Sequence, residues 1–460
     1  MTETPDYLSP WMSTQRWFAG KGRAPRLQII GGFALPADDD GDDVVIRVHL
    51  VLDGAENPLL YQVPLTERRH PLAAAEHALV TTVTGEHGAR YIYDGPHDPV
   101  FASALLRLIL DEGDSIAEDE SGRVAAFGHR DLDHNIRITG SKVLGGEQSN
   151  TSIIYSTEDD NGSPSMPMIC KLFRAIHDGE NPDVVLTAVL GNAGSNVVPR
   201  TVGHLTGRWP DTGKLDGMAT GHLAFAQEFL PGVEDAWRVA LAASEVGEDF
   251  SEGARALGEA TAEMHETLAE ALPCRAATPA DIAAVISSMR ERFEVAAREV
   301  PALAVHRGHL DGVYLRAQQS PWPPFQRIHG DFHLGQVLAV PGRGWVVLDF
   351  EGEPMRSMRE RSAPDSPLRD VAGMLRSFDY VAGSFALAHP GENAHAWASA
   401  ARRAFLDGYI ARSGRDLRAH RALLDAFEID KALYEAVYEA RNRPAWLSIP
   451  VEAIERLIER

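Results

Sequence analysis

The segment HGDFHLGQVLAVPGRGWVVLDFEGEP, residues 329 to 354, gathers two Asp, two Glu, two His and one Gln around a single PGRG turn. Phosphoryl transfer from a metal-bound nucleotide needs one carboxylate to orient the acceptor hydroxyl, and further oxygen donors to hold magnesium between the phosphates. Asp331 can supply the first, and Gln336 with Asp349 the second. The flanking runs VLAV and WVVLDF read as the arms of a hairpin, so Asp331 and Gln336 share a loop while Asp349 leaves the far strand. The plainer reading is that Asp331 caps a helix and Asp349 ends a strand. His329 and His333 are expected to bond backbone carbonyls and hold the loop in shape.

Two other stretches carry residue types that bear on such chemistry. In GGEQSNTSIIY, residues 145 to 155, glycines and small polar residues between strand-like runs let backbone amides approach phosphates, although an ordinary hairpin turn fits equally well. In DKALYEAVYEARNRPAWLSIP, residues 430 to 450, Lys431, Glu435 and Glu439 recur at four-residue spacing, as do Tyr434 and Tyr438. A charged helix face beside an aromatic one suits a sugar, whose ring packs on aromatics while its hydroxyls meet forked polar groups. An amphipathic helix with ordinary salt bridges has the same pattern. Rival nucleotide signatures are absent: there is no GxxxxGK[ST] and no strand-linked GxGxxG, and AGKG at 19 to 22 lacks the final Ser/Thr. HExxH is also missing, and His265-Glu266 falls in a helical pattern that places it on a solvated face.

The elements that must position these residues change character along the chain. Residues 1 to about 90 alternate as antiparallel sheet, with VVIRVHLVL and LLYQVPL separated by turn signals. FASALLRLILDEG reads as a helix, followed by a polar run to 135 that connects modules. Strand-like IRITGSKVL, SIIYS, MPMICKLF and LAFAQEFL return over 136 to 230, with a helix around DVVLTAVLGNA. From 248 the pattern is mostly helical, as in FSEGARALGEATAEMHETLAEAL and DIAAVISSMRERFEVAAREV. A chain of 460 residues accommodates roughly two to four domains. Its net charge of -22 argues against binding to nucleic acid or anionic membrane. No run is apolar enough to span a bilayer and MTETPDYLSPWMSTQRWFAG lacks the apolar core of a secretion signal, so a cytoplasmic location is expected. Cys170 and Cys274 are too few for a disulfide framework and read as reduced structural thiols.

HGDFHLGQ followed by DFEGEP resembles the catalytic loop and metal-binding segment of the aminoglycoside-phosphotransferase-like kinases, whose loop has the form H-G-D-x-H-x-x-N or Q. The resemblance implies Asp331 as catalytic base, Gln336 and Asp349 as magnesium ligands, and Glu351 as a further group near the metal. It also implies that Gly145, Gly146, Ser149 and Asn150 approach the phosphates of ATP and that Lys171 in ICKLF neutralises them. Val185 stands where such sequences often carry the glutamate that pairs with this lysine, leaving Asp183 or Glu180 as substitutes. FAQEFLPG resembles the hinge that presents backbone groups to adenine, with Gln227 and Phe229 flanking it; an edge strand followed by a loop fits as well.

The two ends of the chain, QRWFAGKGR and RNRPAW, are similar to those of the maltokinases within this group. That likeness implies an α+β, bilobal protein-kinase-like fold with an N-terminal β-rich cap (1–90), a connecting segment (91–135), a nucleotide-side lobe (136–230) and a mostly helical C-lobe (231–460). It implies Tyr438, Glu439, Arg441, Arg443 and Trp446 as sugar-site residues. Trp17 and Lys21 either line an interface between lobes or are a packed aromatic and a solvated lysine. The implied activity is transfer of the γ-phosphoryl of ATP to maltose, giving maltose 1-phosphate for α-glucan or glycogen synthesis, in association with enzymes of trehalose and α-glucan metabolism. Kinases of glucosamine, other aminosugars or aminoglycosides share the loop. A silent nucleotide-binding pseudokinase is the alternative outside the enzymes.

Overall fold

A computed structural model describes residues 4–37, 43–54, 58–85, 88–116, 124–132, 136–145, 149–353 and 356–459. It divides into two compact units, Met1–Val184 with Arg200–Pro231, and Val185–Pro199 with Gly232–Arg460.

The first unit holds two antiparallel sheets. After the short helix α1 (Leu8–Thr14), strands β1 (Leu27–Leu35), β2 (Val45–Asp53), β3 (Leu59–Arg68), β4 (Leu79–Gly85) and β5 (Gly88–Asp94) pair in the order β1-β2-β3-β5-β4. Helix α2 (Pro99–Leu110) follows, started by Asp98, whose side chain accepts the Val100 N–H, with Pro99 at the first turn. The second sheet takes β6 (Asp114–Ile116), β7 (Ala125–Arg130), β8 (Arg137–Val143), β9 (Asn150–Glu158), β10 (Met168–Phe173), β12 (Thr201–Pro210) and β13 (Met218–Glu228), in the order β6-β7-β12-β13-β10-β9-β8. The polar run expected to connect modules thus carries two of its strands, β6 and β7, because both pair through backbone groups and need few apolar residues. The two-residue strand β11 (Ala175–Ile176) leaves this sheet and pairs with β3 of the first. Gln62 fastens the same junction, its buried amide donating to Phe173 O at 3.1 Å and Leu223 O at 2.9 Å. Arg174, fully buried, donates from Nη2 to both oxygens of Asp94 at 2.8 and 2.7 Å and stacks on Trp17. Trp17 is therefore a packed aromatic of this unit, while Lys21 is exposed.

The second unit is helical around one continuous core. Helix α3 (Pro182–Asn192) begins in the first unit and continues into this one. It is followed by α4 (Ala236–Glu245), α5 (Ser251–Ala271), α6 (Pro279–Glu299) and α7 (Arg307–Gln319). Thr278 and Asp281 form a reciprocal capping box at the start of α6, with Pro279 at its first position. After a hairpin come α8 (Met358–Arg361), α9 (Leu368–Ala388), α10 (His395–Ser413), α11 (Arg421–Asn442) and α12 (Ser448–Ile458). The hairpin pairs β15 (Val337–Val340) with β16 (Gly344–Val347), and β14 (Glu234–Asp235) adds a third strand to β15. The strand expected over WVVLDF stops at Val347. Asp349 lies two residues past it in the left-handed region, at φ 65°, which an extended strand cannot include.

Candidate active site

The loop between α7 and β15 in the second unit carries His329, Asp331, His333 and Gln336, and a buried carboxylate from α9 fixes it. Asp370 accepts the His329 N–H at 2.8 Å, the Gly330 N–H at 2.9 Å and, on the same oxygen as His329, a bond from His265 Nε2 at 3.0 Å. His265 is 1% exposed and its other nitrogen meets the Tyr409 hydroxyl at 3.1 Å. The solvated face expected for His265 is therefore wrong: the helix turns it inward, where it orients Asp370. Gly330 makes the turn at φ 85°, and a side chain at Gly373 of α9 would strike the Phe332 carbonyl at 2.4 Å, so a glycine there lets the loop rest on the helix.

His329 Nε2 meets the Leu348 carbonyl at 2.9 Å and its ring packs between Phe332 and Phe350, which ties the loop to the segment bearing Asp349. His333 accepts the Gly335 N–H at 3.0 Å, starting the turn Leu334–Gln336. Burial brings the His333 imidazole down to a pKa of about 4, so it is neutral and free to accept. Both histidines shape the loop.

Asp331 sits 2.7 Å from the Lys431 ammonium, which reaches it from α11 across 100 residues of sequence. Burial by itself raises the pKa of Asp331, but Lys431, with help from the neighbouring histidines, outweighs it and holds the carboxyl at about 2. Lys431, over the Tyr434 ring at 5.0 Å, is raised in turn by Asp331 against the opposing effect of burial. Gln336 donates to Asp349 Oδ2 at 3.0 Å, and oxygens of Asp349 and Glu351 approach within 4.8 Å. An amide oxygen beside two carboxylates is the donor set a hard divalent cation prefers. These residues fit magnesium. Glu353 faces the other way, onto Arg292 of α6 at 2.9 Å, and Arg292 also pairs with Asp430 of α11.

A cavity of about 350 Å³ opens beside this loop within the second unit. Its wall includes His333, Lys431, Tyr434, Glu435, Tyr438, Glu439, Arg443 and Trp446, so four of the five expected sugar residues meet there. Arg443 bonds Glu439 at 2.6 and 2.9 Å and lies over the Trp446 ring at 4.7 Å; Tyr380 stacks on Trp446 and reaches Glu439 at 3.2 Å. Arg441 is the exception. Two residues beyond Glu439 it points around the helix to Glu299 of α6, at 2.6 Å. Glu435 is gripped by the fully buried Arg376, at 3.0 and 2.7 Å.

The first unit carries the remaining candidates. Lys171 on β10 pairs with Asp183 at the start of α3, at 2.8 Å, one of the two carboxylates left open by the sequence. Gly145 and Ser149 are exposed and Asn150 opens β9; Gly146 lies outside the described residues. Gln227 is buried within β13. The Phe229 N–H donates to Pro167 O, and that of Glu228 to Arg200 O, both at 2.8 Å.

Residues 186–423 match the model of the phosphotransferase enzyme family, and residues 11–98 that of the maltokinase N-terminal cap domain. The chain belongs to the phosphotransferase enzyme family. This phosphotransferase is 31% identical over 333 residues to a glucosamine kinase of Streptacidiphilus jiangxiensis, covering 68% of this chain and 72% of that one. It is 30% identical over 252 residues to a glucosamine kinase of Mycolicibacterium smegmatis, covering 50% and 62%. A solved glucosamine kinase in complex with glucosamine, ADP and inorganic phosphate has the same fold, with a TM-score of 0.66 at 22% identity over 99% of this chain and 100% of that one. The α+β, kinase-like fold with a β-rich N-terminal part and a helical C-terminal part is as expected from the sequence. Among the described residues no helix is long and apolar enough to cross a membrane.

Sequence reasoning passed over Asp370 and gave Lys431 no partner. Asp370 begins a helix after PDSPLR, where an acidic residue is ordinary. For Lys431 the four-residue spacing with Glu435 and Glu439 was the available signal, and it pointed along the helix instead of across to the loop.

Proposed function

We propose that the chain is an ATP-dependent sugar kinase that transfers the γ-phosphoryl group of ATP to the anomeric hydroxyl of maltose, giving ADP and maltose 1-phosphate. The observation that carries this reading is Asp331, ionised and aimed by Lys431, a residue that is itself part of the wall of an aromatic cavity. A carboxylate with so low a pKa does not deprotonate a hydroxyl beforehand. It orients the hydroxyl, then takes the proton late, as the bond from the sugar oxygen to phosphorus forms and that from phosphorus to the leaving oxygen of ADP breaks. Gln336, Asp349 and Glu351 would hold magnesium, which when bound offsets the negative charge of the phosphates. The resemblance to the kinases assigns Lys171, which pairs with Asp183, to the phosphates of ATP.

Maltose is supported by the chain ends QRWFAGKGR and RNRPAW, by the match to the maltokinase cap domain, and by Tyr438 and Trp446 in the cavity wall. The product would serve α-glucan or glycogen synthesis, in a cytoplasmic setting beside enzymes of trehalose metabolism. The named relatives favour a second reading, glucosamine as acceptor. Coupled ADP detection with maltose, glucose, glucosamine and an aminoglycoside separates the two. The highest kcat/KM is expected with maltose; a higher value with an amine-bearing acceptor would transfer the assignment to it.

A further inference from the structure

We infer that Lys431 is a charge filter for the acceptor, admitting neutral sugars and turning away sugars that carry an ammonium group near the reacting hydroxyl. The inference rests on the sugar-kinase reading and deepens it. A hydroxyl oriented by Asp331 must lie within hydrogen-bond reach of its carboxylate, and the Lys431 ammonium is already 2.7 Å from Oδ1. A substituent on the adjacent ring carbon then falls roughly 5 Å from that ammonium, given ordinary hydrogen-bond lengths. A hydroxyl in that position is uncharged and indifferent to Lys431, whereas an ammonium there meets a like charge.

The cavity wall does little to offset this repulsion. Glu435 is committed to the guanidinium of Arg376 at 2.7 Å, and Glu439 to Arg443 at 2.6 Å and the Tyr380 hydroxyl. Each carboxylate of the wall thus faces the acceptor with its charge already balanced, while Glu353 outside it is balanced by Arg292. Asp331 would draw an ammonium in, and Lys431 offsets it directly at 2.7 Å. Removing Lys431 therefore both deletes the repulsion and uncovers an attractive carboxylate. Lys431 is 24% exposed, so solvent screens part of the effect; a change of roughly tenfold in selectivity is expected.

Lys431→Met and Lys431→Arg, compared with the unaltered chain, test the inference with glucose and glucosamine, which differ in one hydroxyl against one amine. N-acetylglucosamine, bulky but uncharged, controls for size. Assays at about pH 6.5 keep the amine protonated. The sugars are measured as acceptors and, where turnover is too slow, as competitors of maltose; if Lys431→Met is inactive, their binding is measured by calorimetry with ADP present. The ratio of glucosamine to glucose, in kcat/KM or affinity, should rise roughly tenfold in Lys431→Met and stay within about twofold in Lys431→Arg. N-acetylglucosamine should show no such gain. Equal losses for glucose and glucosamine in Lys431→Met, or a preference of the unaltered chain for glucosamine, would overturn the filter while leaving the kinase reading intact. Failure of the unaltered chain to phosphorylate any sugar would instead remove the reading on which the filter rests.

Discussion

Lys171–Asp183 in the first unit and Lys431–Asp331 in the second are near twins in length, at 2.8 and 2.7 Å, yet they present opposite partners. Asp183 is 1% exposed beneath a lysine that is 14% exposed, so the acid is the more deeply covered of the two. Asp331 keeps 19% of its surface, and its lysine stands beside it at 24%. The second acid can therefore still touch an acceptor, with its charge and direction set by the lysine. A lysine–aspartate pair is not one device: the burial of each partner decides which group works and which holds it.

If that distinction is right, amide substitutions should separate the two acids. Asp331→Asn should lower kcat roughly 10³-fold with ATP affinity nearly unchanged, because the group that orients the hydroxyl is gone. Asp183→Asn should lower kcat/KM for ATP by only about tenfold, acting through the position of Lys171. Steady-state kinetics with varied ATP and sugar reads both, and a larger kcat loss at Asp183 would break the comparison. Next in size, Lys171→Met should raise the KM for ATP roughly tenfold or more and leave sugar affinity in place, as a charge on the phosphates predicts.

A smaller effect concerns pH. With Lys431 in place Asp331 stays ionised down to about 2, so it imposes no acid limb on kcat over the usual assay range. Lys431→Met removes the charge that opposes burial, the carboxyl pKa then rises above the ordinary value, and an acid limb should enter the profile at least one unit higher. An unshifted profile would mean that Lys431 does not hold Asp331. The smallest effect is on stability. His333 has a folded pKa of about 4 against 6.5 when free, so the unfolded chain binds the extra proton between those values. Its contribution is present above about 6.5 and is lost as pH falls toward 4. His333→Asn should flatten the dependence of Tm on pH in that window, as thermal melts would show.

Much of this was readable in advance because it is local. The loop from His329 to Gln336, the hairpin behind it and the alternation of the N-terminal strands all lie within spans where spacing dictates geometry. Lys171 and Asp183 are 12 residues apart, close enough to be paired as candidates from the sequence. Lys431 and Asp331 are 100 residues apart, and no periodicity links a loop to a helix at that distance. His265 and Asp370, 105 residues apart, were lost for the same reason, the first reading as part of a solvated helix face and the second as an ordinary acidic residue of a first turn. Arg441 differs in the opposite direction: the resemblance grouped it with its neighbours along the chain, whereas the helix turns it toward Glu299 of α6.

The account turns on Asp331 serving phosphoryl transfer to a sugar, and phosphorus NMR of the reaction with magnesium, ATP and maltose tests that most directly. With the unaltered chain, a phosphomonoester on the anomeric carbon should appear in step with ADP, and Asp331→Asn at the same concentration should bind ATP but give neither signal above background. The same phosphomonoester formed at an undiminished rate by Asp331→Asn, or no maltose-dependent product from the unaltered chain, would contradict it.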